Sequence, residues 1–223
     1  MWLLAGCLAW VGCGDVDTPR AKLDELAAQS AGVGPYQRVC AGCHGPTGKG
    51  NESVRAPSIA GLPSWYVEEQ IFRFREGKRG AHPEDLPGQQ MRAIALSLTE
   101  DQITTAAGTV SAMESIPTEA PPENADLERG RHLYANHCME CHRYNGQGER
   151  VFHSAPLVSL NRGYLRRQLE NYRAGLRGAQ PGDIYGQKMV TIASRLGDEE
   201  IEDLVHYIGA LAHGDDPRPA MER

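Results

Sequence analysis

Two five-residue segments stand out by residue type and spacing: Cys40-Ala41-Gly42-Cys43-His44 and Cys138-Met139-Glu140-Cys141-His142. Two thiols on one helical turn can each bond a vinyl carbon of a porphyrin. The adjoining imidazole is then carried beneath the iron, so the spacing C-x-x-C-H reads as covalent attachment of haem c. Composition alone predicts about 0.006 such segments in a chain with six Cys and eight His among 223 residues. A zinc knuckle, a dithiol redox pair or a structural disulfide would also use paired cysteines. None of these explains a His directly after the second Cys in both copies.

The two segments head an internal repeat. An offset of 98 carries Cys40 onto Cys138, Tyr66 onto Tyr164, Gln70 onto Gln168, Gly77 onto Gly175 and Arg79 onto Arg177. It also carries Gly88-Gln89-Gln90-Met91 onto Gly186-Gln187-Lys188-Met189. Pro57 pairs by pattern with Pro156, which implies a one-residue slip in a loop that recovers by Tyr66. Met91 and Met189 each follow the motif histidine by 47 residues. A methionine in an apolar stretch is ordinarily core filler, but identical placement in two copies marks this pair as the sixth iron ligands. The expected ligand sets are therefore His44 with Met91 and His142 with Met189, which raises the reduction potential relative to two histidines. Met113 and Met139 have no such partner, and His82 is the one rival near Met91.

The elements that must position these residues are helical. In the first copy, residues 35–43 read as a helix ending in the motif, followed by a polar glycine-rich loop over 45–51. A helix capped by Ser64 should cover 65–76, and a loop over 77–88 should deliver Met91. Thr99 and Gln102 have the form of a capping box, so a closing helix should occupy about 100–113. In the second copy the corresponding helices are expected at 127–141, 164–172 and 198–211. Pro117, Pro121 and Pro122 mark the boundary between the copies. Residues 1–13 read as a leader, 14–31 as an extension, 32–113 as the first domain, 114–126 as a Pro-rich linker, 127–213 as the second domain and 214–223 as a frayed tail.

The chain is 40% hydrophobic with a formal charge of −6. Each unit of roughly 85 residues is small for a self-sufficient apolar core, and a covalently held haem supplies buried apolar mass. The mild acidity and the lack of a basic tail exclude nucleic acid as a partner. Glu68, Glu69 and Glu76 in the first middle helix correspond to Arg166, Arg167 and Ala174 in the second. That contrast either steers different partners to the two ends or is a solvated helix face.

Residues 1–11 are almost wholly apolar, too short to span a bilayer and suited to the core of an export signal, although the first basic residue is Arg20. Leu4-Ala5-Gly6-Cys7 and Val11-Gly12-Cys13 both have the form of lipoprotein processing sites. Lipidation at either would tether the protein to a membrane; ordinary signal cleavage would discard both cysteines.

The two haem motifs, Gly48-Lys49-Gly50-Asn51, Gly77-Lys78-Arg79 and the two Met segments together resemble the c4-type di-haem cytochromes c, over residues 32–212. The resemblance implies an all-α fold of two tandem class I cytochrome c domains, each wrapped around one covalent haem c, matured in the periplasm. It implies a respiratory carrier that shuttles single electrons from a quinol-oxidising complex to a terminal oxidase, and not an enzyme. Two alternatives stay open: an electron-transfer subunit of a larger periplasmic dehydrogenase, and a haem enzyme with one open iron.

Overall fold

The structure, a computed structural model, describes residues 33–218. The leader and the whole extension, with Cys7 and Cys13, lie outside the described residues. Seven helices longer than two turns form two similar sets: α1 Ser64–Arg75, α2 Leu86–Ser97 and α3 Glu100–Ser111, then α4 Leu127–His137, α5 Arg162–Arg173, α6 Ile184–Ala193 and α7 Asp198–Ala212. The haem motifs close short helical turns, Ala41–His44 and Met139–His142. Apart from two isolated backbone bridges, the described residues contain no β-structure.

Local chemistry explains most of the boundaries. Thr99 and Gln102 make the capping box at α3 in both directions. The helix at α1 begins at Ser64 rather than after it, with Pro63 at the cap and no side-chain bond. In the first copy a π-helical turn, Tyr36–Cys40, leads into the motif; in the second a full α-helix, α4, does so.

Three expectations are corrected. Met91 and Met189 are delivered by helices, not by loops: Asp85 and Asp183 each accept a hydrogen bond from the glycine N–H three residues on and so start α2 and α6. Gly88 and Gly186 are thereby drawn into a first helical turn, where Pro87 is also tolerated. The repeat does not slip at Pro57, because the bridges Asn51↔Ala56 and Glu149↔Ser154 keep the offset of 98 and match Pro57 with Ala155. The tail is not frayed as far as Arg218, whose guanidinium lies 3.7 Å from the Tyr144 ring centroid.

One buried cluster joins the two copies, running from Tyr36, Leu62, Tyr66 and Val110 to Leu160, Leu165, Leu204 and Tyr207; a smaller one gathers Ile71, Phe74, Ala95, Leu98 and Ile103. The segment between the copies has no helix but is strapped down. Thr118 is buried, its N–H donates to Val158 O at 2.8 Å and its hydroxyl to Leu160 O at 2.8 Å. Replacing Thr118 by Val leaves that buried carbonyl without this donor. It should lower unfolding free energy by about 1–3 kcal/mol, read as a lower denaturant midpoint for the holoprotein.

The charged middle helices face each other's domains. Arg167 pairs with Glu52 and Glu69 with His153, the latter at 2.9 Å, while Arg166 pairs with Glu202. The first two pairs tie the domains together and the third lies within the second domain, so Glu69, Arg166 and Arg167 are engaged inside the molecule.

Candidate haem sites

Each motif is pinned from above by a buried tyrosine. Tyr36 donates its hydroxyl to Gly45 O at 2.6 Å, and Tyr134 donates to Arg143 O at 2.6 Å. Both tyrosines are fully buried, so the chain leaving each motif histidine has one course.

The histidines are oriented by backbone. Nδ1 of His44 lies 2.9 Å from Pro57 O, and Nδ1 of His142 lies 2.9 Å from Ala155 O. An Nδ1–H bonded to a carbonyl leaves Nε2 as the free lone pair for a metal. The two loops can bring those carbonyls so close only because of glycines. Gly50 and Gly148 have positive φ, and a Cβ on Gly50 would lie 2.6 Å from the carbonyl carbon of Pro57. Burial pushes both imidazoles below the usual histidine range, against the pull of the carbonyl, so they are neutral and able to ligate near pH 7.

Burial also pushes the Cys40 thiol up to about 11 and the Cys138 thiol up to about 12. A reactive dithiol pair is marked by a lowered thiol pKa, which neither of these buried thiols shows.

Cys40, Cys43, His44 and Met91 line one cleft, about 240 Å³, with Ile71 and Phe74 on its wall. Cys138, Cys141, His142 and Met189 line a second, about 130 Å³, with Leu169 and Ile208. His82 lines neither; its Nδ1 accepts from Glu84 N–H at 3.2 Å. His137 and His153 border the second cleft. Met113 and Met139 pack on the core instead.

The clefts back onto each other across a layer that the sequence marked only as repeated residues. Arg79 donates to Gln70 Oε1 at 2.8 Å and to the Tyr164 hydroxyl at 3.0 Å; Arg177 donates to Gln168 Oε1 at 2.6 Å and to Gln70 Oε1 at 3.2 Å. Arg79 also lies over the Phe74 ring and Arg177 over the equivalent Tyr172 ring. Both guanidinium groups are buried, and neither forms an ion pair with a carboxylate among the described residues. Buried cations demand an anion. Burial pushes the Tyr164 phenol up, but Arg79 and Arg177 outweigh it and leave that phenol below its ordinary range. A flat apolar ring with two carboxylates at one edge therefore fits each cleft: apolar walls, thiols and an imidazole at one side, a cationic layer at the other. The offset of 98 was the only signal of this layer in the sequence, and the carbonyls of Pro57 and Ala155 left none.

Two apolar clefts of one design, each ending on a C-x-x-C-H turn and sharing a cationic floor, define a two-haem c-type electron-transfer protein. The chain belongs to the cytochrome c family, whose profile matches residues 30–107 and 127–212. It is similar to cytochrome c4 of Thiocapsa roseopersicina, 26% identical over 88% of this chain and 99% of that one. It is also similar to a thiosulfate dehydrogenase electron acceptor of Stutzerimonas stutzeri, 27% identical over 79% of this chain and 80% of that one. Among solved structures, reduced cytochrome c4 from Pseudomonas stutzeri superposes with a TM-score of 0.63 at 25% identity, covering 78% of this chain and 95% of that chain. The thiosulfate dehydrogenase TsdBA from Marichromatium purpuratum superposes with a TM-score of 0.60 at 30% identity over 76% of this chain. This chain spans only 36% of that longer one. The protein thus holds two covalently bound haem c groups in two cytochrome c domains and transfers electrons.

Proposed function

We propose that this protein is a periplasmic carrier and not itself an enzyme, passing single electrons from a quinol-oxidising complex to a terminal oxidase. The observation that carries this reading is the equal equipment of the two clefts, each lined by one oriented histidine and one repeat-related methionine. Those four side chains would ligate the two irons and would leave no coordination site for a substrate. Haem, when bound, supplies a ferric/ferrous couple.

In this reading Cys40 and Cys43 would hold the first haem and Cys138 and Cys141 the second, and His44 with Met91, then His142 with Met189, would ligate the irons. Arg79 and Arg177 would neutralise the carboxylates of the bound groups, and Tyr66, Gln70, Tyr164 and Gln168, which line both clefts, would separate them from each other. Electrons enter and leave over exposed apolar surface at equivalent places, Val54 and Leu86 in the first domain, Phe152 and Ile184 in the second. The two domains occupy 32–113 and 127–213, joined by the strap 114–126. No helix among the described residues is long and apolar enough to cross a membrane. A lipid at Cys7 or Cys13, after an export signal within residues 1–13, would tether the protein to a membrane.

A second reading is favoured by the kinship with a thiosulfate dehydrogenase electron acceptor: the same carrier accepting electrons from a dehydrogenase rather than from a quinol-oxidising complex. Stopped-flow spectroscopy of the oxidised holoprotein tests both. Thiosulfate alone should leave both haems oxidised, and a quinol-oxidising complex with quinol should reduce them. Rapid reduction only when a thiosulfate dehydrogenase is added would favour the second reading. Reduction by thiosulfate with no other protein present would overturn the carrier assignment.

A further inference from the structure

The two methionine-bearing helices are started by the same device and supported differently. Asp85 caps α2, and its carboxylate forms no ion pair among the described residues. Asp183 caps α6 while only 1% exposed, and its carboxylate pairs with Arg73 of α1, a residue of the other domain. Oδ2 of Asp183 has no hydrogen-bond partner. Arg73 also lies 3.5 Å from Glu69, and Glu69 reaches His153 at 2.9 Å. His153 stacks on Tyr185, the second residue of α6, with centroids 4.2 Å apart. Two residues of α1 thus hold both the cap and the first turn of the Met189 helix.

The repeat puts Arg167 and Asn171 where Glu69 and Arg73 stand. Arg167 is engaged by Glu52, and the neutral Asn171 brings no charge to Asp85. The support runs one way across the interface.

We propose that Arg73 is a positioning residue for the second haem: it reaches from the first domain to the Asp183 cap, steadies the Met189 helix and neutralises the buried carboxylate beside that cleft. The second iron's potential and ligation then depend on the first domain, while the first iron's do not depend on the second in this way. The inference rests on Met189 being the sixth ligand. Without Arg73, the Asp183 carboxylate loses its ion-pair partner, keeps only the more distant influence of Arg177, and favours the ferric, more positive iron. Without the carboxylate, the Arg73 cation favours the ferrous iron.

The test is a spectropotentiometric titration of the two haems in the full holoprotein, with ferric imidazole binding as a second readout. Arg73→Asn, which copies the residue at 171, should lower the second haem's potential and speed displacement of its methionine by imidazole about tenfold. The first haem should be unmoved, and Arg73→Lys should restore most of the potential. Asp183→Asn keeps an acceptor at the cap and removes the charge, so it should shift the second haem upward. Shifts of one sign in both variants would mean a merely structural role and overturn the proposal, as would equal shifts at both haems or none. If Arg73→Asn loses haem, Asp183→Asn alone decides, since no upward shift there also overturns it. Met189→Ala separates the two ideas: an undiminished methionine–ferric band in that variant would refute the ligand assignment instead.

Discussion

Met91→Ala and Met189→Ala should each lower the midpoint potential of one haem by roughly a few tenths of a volt. Each should also remove half of the weak far-red band that methionine ligation gives ferric haem. The effect is expected at the iron rather than in the fold. Both methionines are half-buried and lie within α2 and α6, where alanine is the best helix former. The caps at Asp85 and Asp183 are untouched, and the smaller core cluster keeps Ile71, Phe74, Ala95, Leu98 and Ile103. A thioether stabilises ferrous iron, so its loss lets water or another weak ligand in and favours the ferric state. Loss of the whole band from a single substitution, or of none, would refute symmetrical ligation. In the second domain His137 and His153, which border the cleft, would become the alternative ligands. An opened iron in either variant should also bind cyanide or imidazole, which the wild type should resist.

Gly130→Val should be the most damaging substitution outside the haem sites. Gly130 lies where α4 crosses α7, and a Cβ there would fall inside the contact radius of the Asp203 carbonyl oxygen and 2.7 Å from Tyr207 Cβ. Neither neighbour can yield easily. The carbonyl belongs to the middle of α7, which has nine buried residues, and Tyr207 is fully buried against Tyr134. Tyr134 in turn holds Arg143 O, so forcing the helices apart would loosen the turn that carries His142. A branched side chain should cost about 3 kcal/mol or more, above the usual range for overpacking because backbone is struck. For a domain of this size that is on the order of 10–20 °C in thermal midpoint. Calorimetry of the holoprotein would check it, and a drop of only a few degrees would show that the crossing can adapt.

The haem chemistry was legible in the sequence because covalent attachment is a local affair: two thiols and an imidazole must share one turn, and only C-x-x-C-H does that. The placement of Met91 and Met189 on the two clefts was legible through the repeat, since two copies of one fold keep equivalent residues at one distance from the motif. Their secondary structure was not. Gly-Gln-Gln-Met looks like a loop until an aspartate three residues before the glycine is seen to cap it.

The supposed slip at Pro57 failed for a related reason. What His44 and His142 need is a carbonyl oxygen, which proline and alanine supply equally, so side-chain identity misaligned two loops that the backbone keeps in register. Likewise Glu69, Arg73 and Arg167 read as surface charge along one helix, because their partners Glu52, His153 and Asp183 lie in the opposite domain.

The sequence by itself determined the number of haems, the motif and methionine residues that the structure brings to each cleft, and a helical fold in two copies, since these depend on spacing within a turn and on a period along the chain. Only the tertiary structure decided that the clefts share a layer of Arg79, Arg177 and their neutral partners, that Thr118 straps the linker to the second domain, and that Arg73 supports one methionine helix but not the other. Those contacts join residues some 40 to 110 positions apart, and burial and charge pairing at such separations arise only when the domains close on each other.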